Sequence, residues 1–479
     1  MRHDQEIELK ADRPASILES ALAGLDAAVV LCAALLAAYL VTGAVTLGPL
    51  TVHRFSKPFL LLLLAASLRL AIPRGSWLPR WLGRLWARLR RRGAPPGSLV
   101  MAAGDVLAVL VPTLVATKLV AFLANVLLPQ VSPRGVAMPF ASVRFAETFA
   151  AWDSGWYWTI ARNGYAHEAS IQSSIAFFPL YPLLMRALAW PFGGGDRALW
   201  VAGIVISLAC FAGALVVLHR LAERLCGSVE AARRTVVYVA VFPFAFFFSQ
   251  VYTESLFLLL SVSAVASAMS GRWWLAGGLG GLCSLTRPNG ILILVPITLL
   301  ALGGRPPTRE LLRRAAALAL VPLGLCLFCG FCWALSGDPL AWLHAQRHWG
   351  YTLGNRPWIE LMRVLDALER LGPYDYFFAD PLAVPYFLHG FVALFFLALV
   401  PRVFTRFGLA MGSYVAVSLC VPLTGNALEG IGRYCATLFP VFLLLGATTS
   451  RRTAQALVIS GSLGLGLLAA LFVLQHKVY

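Results

Sequence analysis

Residues Leu99–Leu127 read LVMAAGDVLAVLVPTLVATKLVAFLANVL. A helix that crosses a bilayer needs about 20 mainly apolar residues, because hydrocarbon offers no partner to an unpaired backbone group. This stretch meets that length and sets the solvent against which the rest of the chain is read. The composition agrees: 479 residues, 59% hydrophobic and 13% charged, with a mean hydropathy of +0.76. Soluble domains carry about 25% charged residues. The expectation is an all-α polytopic membrane protein with about 12–13 spans by the same length rule.

The formal net charge of +17 lies in short basic segments between apolar runs: Arg69 to Arg92, His219 to Arg234, Arg305 to Arg314, Arg402 to Arg406, and Arg451 with Arg452. That distribution is the mark of cytoplasmic loops rather than of a nucleic-acid-binding face. The run RGSWLPRWLGRLWARLRRR reads as an interfacial helix on anionic lipid, so membrane lipids are expected partners and nucleic acid is not. Lysines occur only at 10, 57, 118 and 477, leaving 35 arginines, a bias that suggests a GC-rich bacterial genome and hence a bacterial cytoplasmic membrane. The N-terminal residues carry both signs of charge and no cleavage signal, and read as a cytoplasmic tail.

With the basic segments inside, Leu25–Val45 runs out, Pro58–Ile72 returns and Leu99–Leu127 runs out again. Leu128 to Ser174 then lies outside. The segment AFFPLYPLLMRALAWPF is short, holds Pro179, Pro182 and Arg186, and reads as a half-inserted helix on the outer face. Leu199–Leu218 crosses inward, Val236–Phe248 outward and Ser255–Met269 inward. A tight pair follows around LTRPNG, then Ala315–Leu335, Val384–Val400, Leu409–Leu423, Tyr434–Ala447 and Leu457–Leu474. Three regions result: 1–98 with two extra spans, a core at 99–302 with an external loop at 128–175, and 303–479 with an external loop at 337–380. Cys326, Cys329 and Cys332 imitate a metal motif, but steps of three drift around a helix, and they read as buried small residues.

The external stretch Phe149–Tyr165, FAAWDSGWYWTIARNGY, places one carboxylate among aromatics. Trp152, Trp156, Tyr157 and Trp158 would exclude water from Asp153 and strengthen it as a general base, and their faces would stack on sugar rings. The alternative is that Asp153 merely caps the helix that follows. Arg144 and Glu147 have the spacing of an intrahelical pair but share the external approach. Tyr165 follows in the same loop. Glu254, in SQVYTESLF beside Tyr252, opens a span, where an ionisable group marks function unless it only answers the helix dipole. Arg287 precedes Pro-Asn-Gly, with Asn289 in the turn, and an arginine beside free amides suits a phosphate. Arg433 would add a second cation, and Arg347 with His348 a third. No nucleotide-binding or metal-binding motif is present, so no cofactor or metal is expected.

The segments RFAETFAAWDSGWYWTIARNGY, IAFFPLYPLLMRAL, QVYTESLFLLLS and SLTRPNGILIL, with GIGRYCATLFPVF near the C-terminus, resemble the PIG-V type of GPI mannosyltransferase 2 and its bacterial relatives. That family lies in the GT-C superfamily, whose donors are polyprenyl-phosphate sugars. The resemblance implies a GT-C transmembrane bundle, with Asp153 as catalytic base and Glu254, Arg287, Asn289 and Gly290 as family elements. The two extra N-terminal spans depart from the pattern, and a bacterial cell would make no GPI anchor.

The expectation is therefore an inverting glycosyltransferase moving a sugar, mannose first, from a polyprenyl phosphate to a hydroxyl of a lipid, glycan or protein on the outer face. The alternative is a transporter or flippase of a lipid-linked saccharide, with Glu254 and Arg287 lining its path. A membrane scaffold is a third, weaker reading.

Overall fold

The computed structural model describes residues 45–47, 50–52, 98–128, 145–168, 171–304, 306–351, 359–379, 383–425, 428–476 and 478. The chain divides into two compact units, Met1–Met101 and Ala102–Tyr479. In the first, β1 (Val45–Leu47) pairs antiparallel with β2 (Leu50–Val52), Thr46 opposite Thr51. The expected spans Leu25–Val45 and Pro58–Ile72 and the basic segment Arg69–Arg92 lie outside the described residues, Val45 apart.

From residue 99 onward the described chain is helical. In order it forms α1 (Leu99–Leu127), α2 (Ser154–Asn163), α3 (Leu180–Ala189), α4 (Asp196–Cys226), α5 (Val229–Ala240) and α6 (Glu254–Met269). There follow α7 (Trp273–Ser284), α8 (Leu294–Leu302), α9 (Thr308–Leu318), α10 (Leu320–Ser336), α11 (Ala341–Gln346), α12 (Ile359–Ala379), α13 (Ala383–Thr424), α14 (Ile431–Ala436), α15 (Phe439–Thr448) and α16 (Arg451–Val473).

Among the described residues five stretches are long and apolar enough to cross a membrane: Leu99–Leu127, Asp196–Cys226, Thr308–Ser336, Phe387–Thr424 and Arg451–Val473. Three shorter apolar helices, Glu254–Met269, Pro288–Leu302 and Phe439–Thr448, pack among them. The protein is an integral membrane helix bundle.

Two expected spans are broken, each at a proline. Val236–Phe248 is not one helix: α5 stops at Ala240 and residues Ala245–Ser249 form a separate 3-10 turn. Pro243 lacks the N–H that would continue the ladder, and its ring would strike the carbonyl of Val239. Tyr434–Ala447 divides likewise, with Pro440 in the first turn of α15, where a missing N–H costs nothing. The expected pair Val384–Val400 and Leu409–Leu423 lies on either side of a break in α13 at Gly408, φ +79°. The Pro179–Phe192 segment is the short helix α3 and a 3-10 turn, its exposed side carrying Leu183, Leu184, Leu188, Trp190 and Phe192. On α10, Cys332 is buried, Cys329 half-buried and Cys326 exposed, so the three do not converge, and only Cys332 is buried as expected.

Arginines gather at one end of the bundle. Arg224, at the end of α4, donates to Ser270 Oγ at 3.0 Å and to the Met269 carbonyl at 3.3 Å, just past α6. Arg233 pairs with Asp105 at 3.0 Å, Arg234 donates to the Thr449 carbonyl at 2.9 Å, and Arg314 donates to the Ala301 carbonyl at 2.7 Å. Glu254 is at the opposite end of α6, whose 16 residues span about 24 Å.

Candidate active site

Asp153 occupies the position before α2, yet its carboxylate makes no capping hydrogen bond. Its Oδ2 instead accepts from Arg433 Nη1 at 3.0 Å, which disposes of the capping alternative. The same guanidinium donates through Nε to Glu254 Oε1 at 2.6 Å, and Arg287 Nη1 lies 3.1 Å from that oxygen. Four residues from four separate segments thus form a ladder, Asp153–Arg433–Glu254–Arg287, in which the charges alternate and cancel. Buried charges persist only when so paired. Glu254 is fully buried, and Arg287 and Arg433 are exposed by 7% and 9%. The Asp153 side chain is 18% accessible, so the ladder opens to its surroundings at the carboxylate.

Aromatic faces hold the guanidinium planes. Arg433 lies 4.9 Å from the Phe247 ring and 4.8 Å from Tyr252, and Arg287 lies 5.0 Å from Tyr434. Such contacts are worth about 2 kcal/mol when desolvated. Arg433 is carried by α14, whose Gly432 N–H donates to His389 Nδ1 at 3.1 Å. The Phe244 ring lies 2.4 Å from where a Cβ on Gly432 would be.

Arg287 sits in the turn between α7 and the 3-10 segment Pro288–Ile293. That turn closes tightly: a Cβ on Gly290 would lie 2.0 Å from the Cys283 carbonyl oxygen, a backbone atom that cannot step aside. Gly290→Ala is expected to destabilise the protein by about 1–3 kcal/mol through overpacking and to shift Arg287 off Glu254. Thermal unfolding in nanodiscs measures the first effect, and an unchanged midpoint would count against it.

Hydrogen-bonding capacity remains unspent around the ladder. Glu254 Oε2, Asn289 Oδ1 and Arg287 Nη1 are buried without a hydrogen-bond partner, the Arg287–Glu254 contact being an ion pair without an aligned N–H. Buried groups in this state suit a polyol or a phosphate that supplies complementary atoms.

Several other expected residues surround Asp153. Tyr252 OH donates to the Ala151 carbonyl at 3.1 Å and accepts from the Asp153 N–H at 3.1 Å. Tyr157 is buried edge-to-face against Tyr181 and Phe177. Burial first, and then the negative charges of Glu254 and Asp153, push its phenol well up, so it stays neutral. Trp156 stacks on Phe177 at 5.6 Å, and Trp152 takes a left-handed φ of +53° as the chain turns into α2. The ladder does not include Arg347 and His348. They are exposed on a 3-10 turn whose Trp349 meets Trp156 and Phe177 edge-on, each at 5.5 Å. Tyr165 packs away from it, donating to the Phe177 carbonyl at 2.8 Å. Arg144 lies outside the described residues, and with it the expected Arg144–Glu147 pair; Glu147 accepts from Asn125 Nδ2 at 2.8 Å.

The sequence reading passed over Lys118, Gln250 and His389. Lys118 had a usable signal, being an ionisable residue inside a span.

Residues 105–331 match the family model described as Mannosyltransferase (PIG-V). Three rungs of the ladder, Asp153, Glu254 and Arg287, fall within the matched segment, and Arg433 lies beyond it. GPI alpha-1,6-mannosyltransferase 2 of Mus musculus is 30% identical over 149 residues, covering 30% of this chain and 29% of that protein. GPI mannosyltransferase 2 of Yarrowia lipolytica is 31% identical over 157 residues, 33% of this chain and 42% of that protein. The protein of the same name from Drosophila pseudoobscura is 26% identical over 154 residues, 30% of this chain and 33% of its own length. The chain thus spans well under half of each of these relatives. They are eukaryotic, and the bacterial membrane expected from arginine usage gains no support from them. Among solved structures, ArnT from Cupriavidus metallidurans bound to undecaprenyl phosphate aligns with a TM-score of 0.43 at 14% identity, over 74% of this chain and 63% of that one. The Archaeoglobus fulgidus oligosaccharyltransferase aligns with a TM-score of 0.41 at 13% identity, over 77% and 56%.

Proposed function

We propose that this protein is an inverting membrane glycosyltransferase of the GT-C type. It transfers a sugar, mannose by its family, from a polyprenyl phosphate to an acceptor hydroxyl at the extracytoplasmic face. The observation that carries this reading is the Asp153–Arg433–Glu254–Arg287 ladder, which joins an accessible carboxylate to two buried guanidinium groups. Asp153 accepts the proton of the acceptor hydroxyl as that oxygen attacks the anomeric carbon. The bond from that carbon to the phosphate oxygen breaks, and the polyprenyl phosphate leaves with the negative charge. Arg433 and Arg287 stabilise the departing phosphate, so charge compensation needs no metal. Asn289 and Glu254 bond donor hydroxyls. Trp152, Trp156, Tyr157 and Tyr252 form the walls, and exposed Arg347 and His348 receive substrate from outside.

Positive-inside topology supports the orientation, because Arg224, Arg233, Arg234 and Arg314 lie at the far end of the bundle from Glu254. The GPI acceptor of the named relatives is not part of the proposal. The flippase alternative separates cleanly by experiment. Protein reconstituted in vesicles with labelled polyprenyl-phosphate-mannose and a membrane extract as acceptor source is expected to release polyprenyl phosphate and label a second product. Donor that crosses the bilayer intact, with no phosphate released, would establish the flippase.

A further inference from the structure

Asp153 is not placed by α2 alone. The segment Glu147–Asp153 lies between α1 on one side and residues 250–252 on the other. From α1, Lys118 Nζ donates to the Thr148 carbonyl at 2.6 Å. Seven residues on, and so on the same face, Asn125 Nδ2 donates to Glu147 Oε2 at 2.8 Å. From the opposite side, Gln250 Nε2 donates to that Thr148 carbonyl at 3.0 Å, and the Val251 N–H donates to the Phe149 carbonyl at 2.9 Å. Tyr252 then spans Ala151 and Asp153 as described. Thr148 O is the point where both sides meet.

Lys118 is the unexpected member. It is the only lysine among the described residues, is 3% exposed, and sits in a span where an ionisable group is costly. Its Nζ lies 4.1 Å from the centre of the Phe149 ring. In a chain that uses arginine almost everywhere, a compact amino group suits this place. It converges on a single carbonyl beneath a phenyl face, where a guanidinium fork would bring donors with nothing to bond.

We propose that Lys118 is a positioning residue for the transfer reaction: through the Thr148 carbonyl it fixes the height of the 147–153 segment, and thereby the place of Asp153 against Arg433. This rests on the glycosyltransferase reading for its kinetic consequence, though not for its structural one. A displacement of about 1 Å in a reacting group costs up to about 100-fold in rate.

The test is Lys118→Met in the full chain, read by hydrogen exchange and by kinetics with polyprenyl-phosphate-mannose. Amides of residues 147–153 are expected to exchange about tenfold faster while those of α6 and α15 keep their protection. With them, kcat falls about 10–100-fold and the KM for donor stays within twofold. Unchanged exchange at 147–153, or faster exchange throughout the bundle with kcat and KM moving together, would overturn the assignment. Should Lys118→Met fail to accumulate, Gln250→Leu removes the second donor on the same carbonyl and must give the same local pattern. If the unaltered protein turns over no donor, the functional reading fails, while the exchange result still decides how Asp153 is held.

Discussion

Asp153→Asn is expected to lower turnover by about 10³-fold while donor binding stays within a factor of a few. Asparagine keeps the shape of the side chain and can still accept from Arg433 Nη1, but it cannot take up a proton. The backbone contacts that place residue 153, from Tyr252 and the Ala151 turn, are untouched. Arg433 keeps its shorter bond to Glu254, so the cation proposed to meet the phosphate stays in position. The substitution therefore separates proton transfer from donor recognition. Single-turnover assays measure the first and equilibrium binding of labelled donor the second. An undiminished rate would remove Asp153 as the base.

Arg433→Met is expected to have the largest effect on the fold itself, about 3–5 kcal/mol, and to abolish turnover. The guanidinium answers two carboxylates at once, one of them fully buried. Its removal leaves Glu254 with only the unaligned contact to Arg287. Lysine is a poor substitute, since a point charge cannot direct separate N–H groups to both carboxylates. The double variant Glu254→Gln with Arg433→Met removes one charge of each sign, and part of the lost stability is expected to return without activity, Arg287 being left without its carboxylate. A thermal unfolding series on the two single variants and the double variant gives the coupling. Additive single effects would show that the ladder is not a unit.

Much of this was readable in the chain. Apolar run length gives the membrane bundle directly, because lipid leaves the backbone no other way to satisfy itself. Asp153, Glu254, Arg287 and Arg433 each stood out as a charge at the edge of an apolar segment. Their conjunction did not, since no local rule relates residue 153 to residue 433. The broken spans were legible in principle, because Pro243 and Pro440 are visible and act locally. Lys118 was hidden by its surroundings: a run that satisfies the length rule for a span invites no closer look. Arg347 shows the opposite error, for a cation in an external loop resembles a ligand-binding residue whether or not the fold brings it to the site.

The spacing of the ladder along the chain also dictates an order of assembly at the ribosome. Glu254 is made well before Arg433, which follows 179 residues later, so the nascent acid waits about 9–36 s at roughly 5–20 residues per second. Arg287 emerges far sooner, and its contact with Glu254 can shelter that acid as the helix partitions into the bilayer. The last rung joins only when the C-terminal segments are inserted. A product truncated before residue 433 would thus hold residues 105–331, which match the family model, yet leave the Asp153 carboxylate without its guanidinium partner.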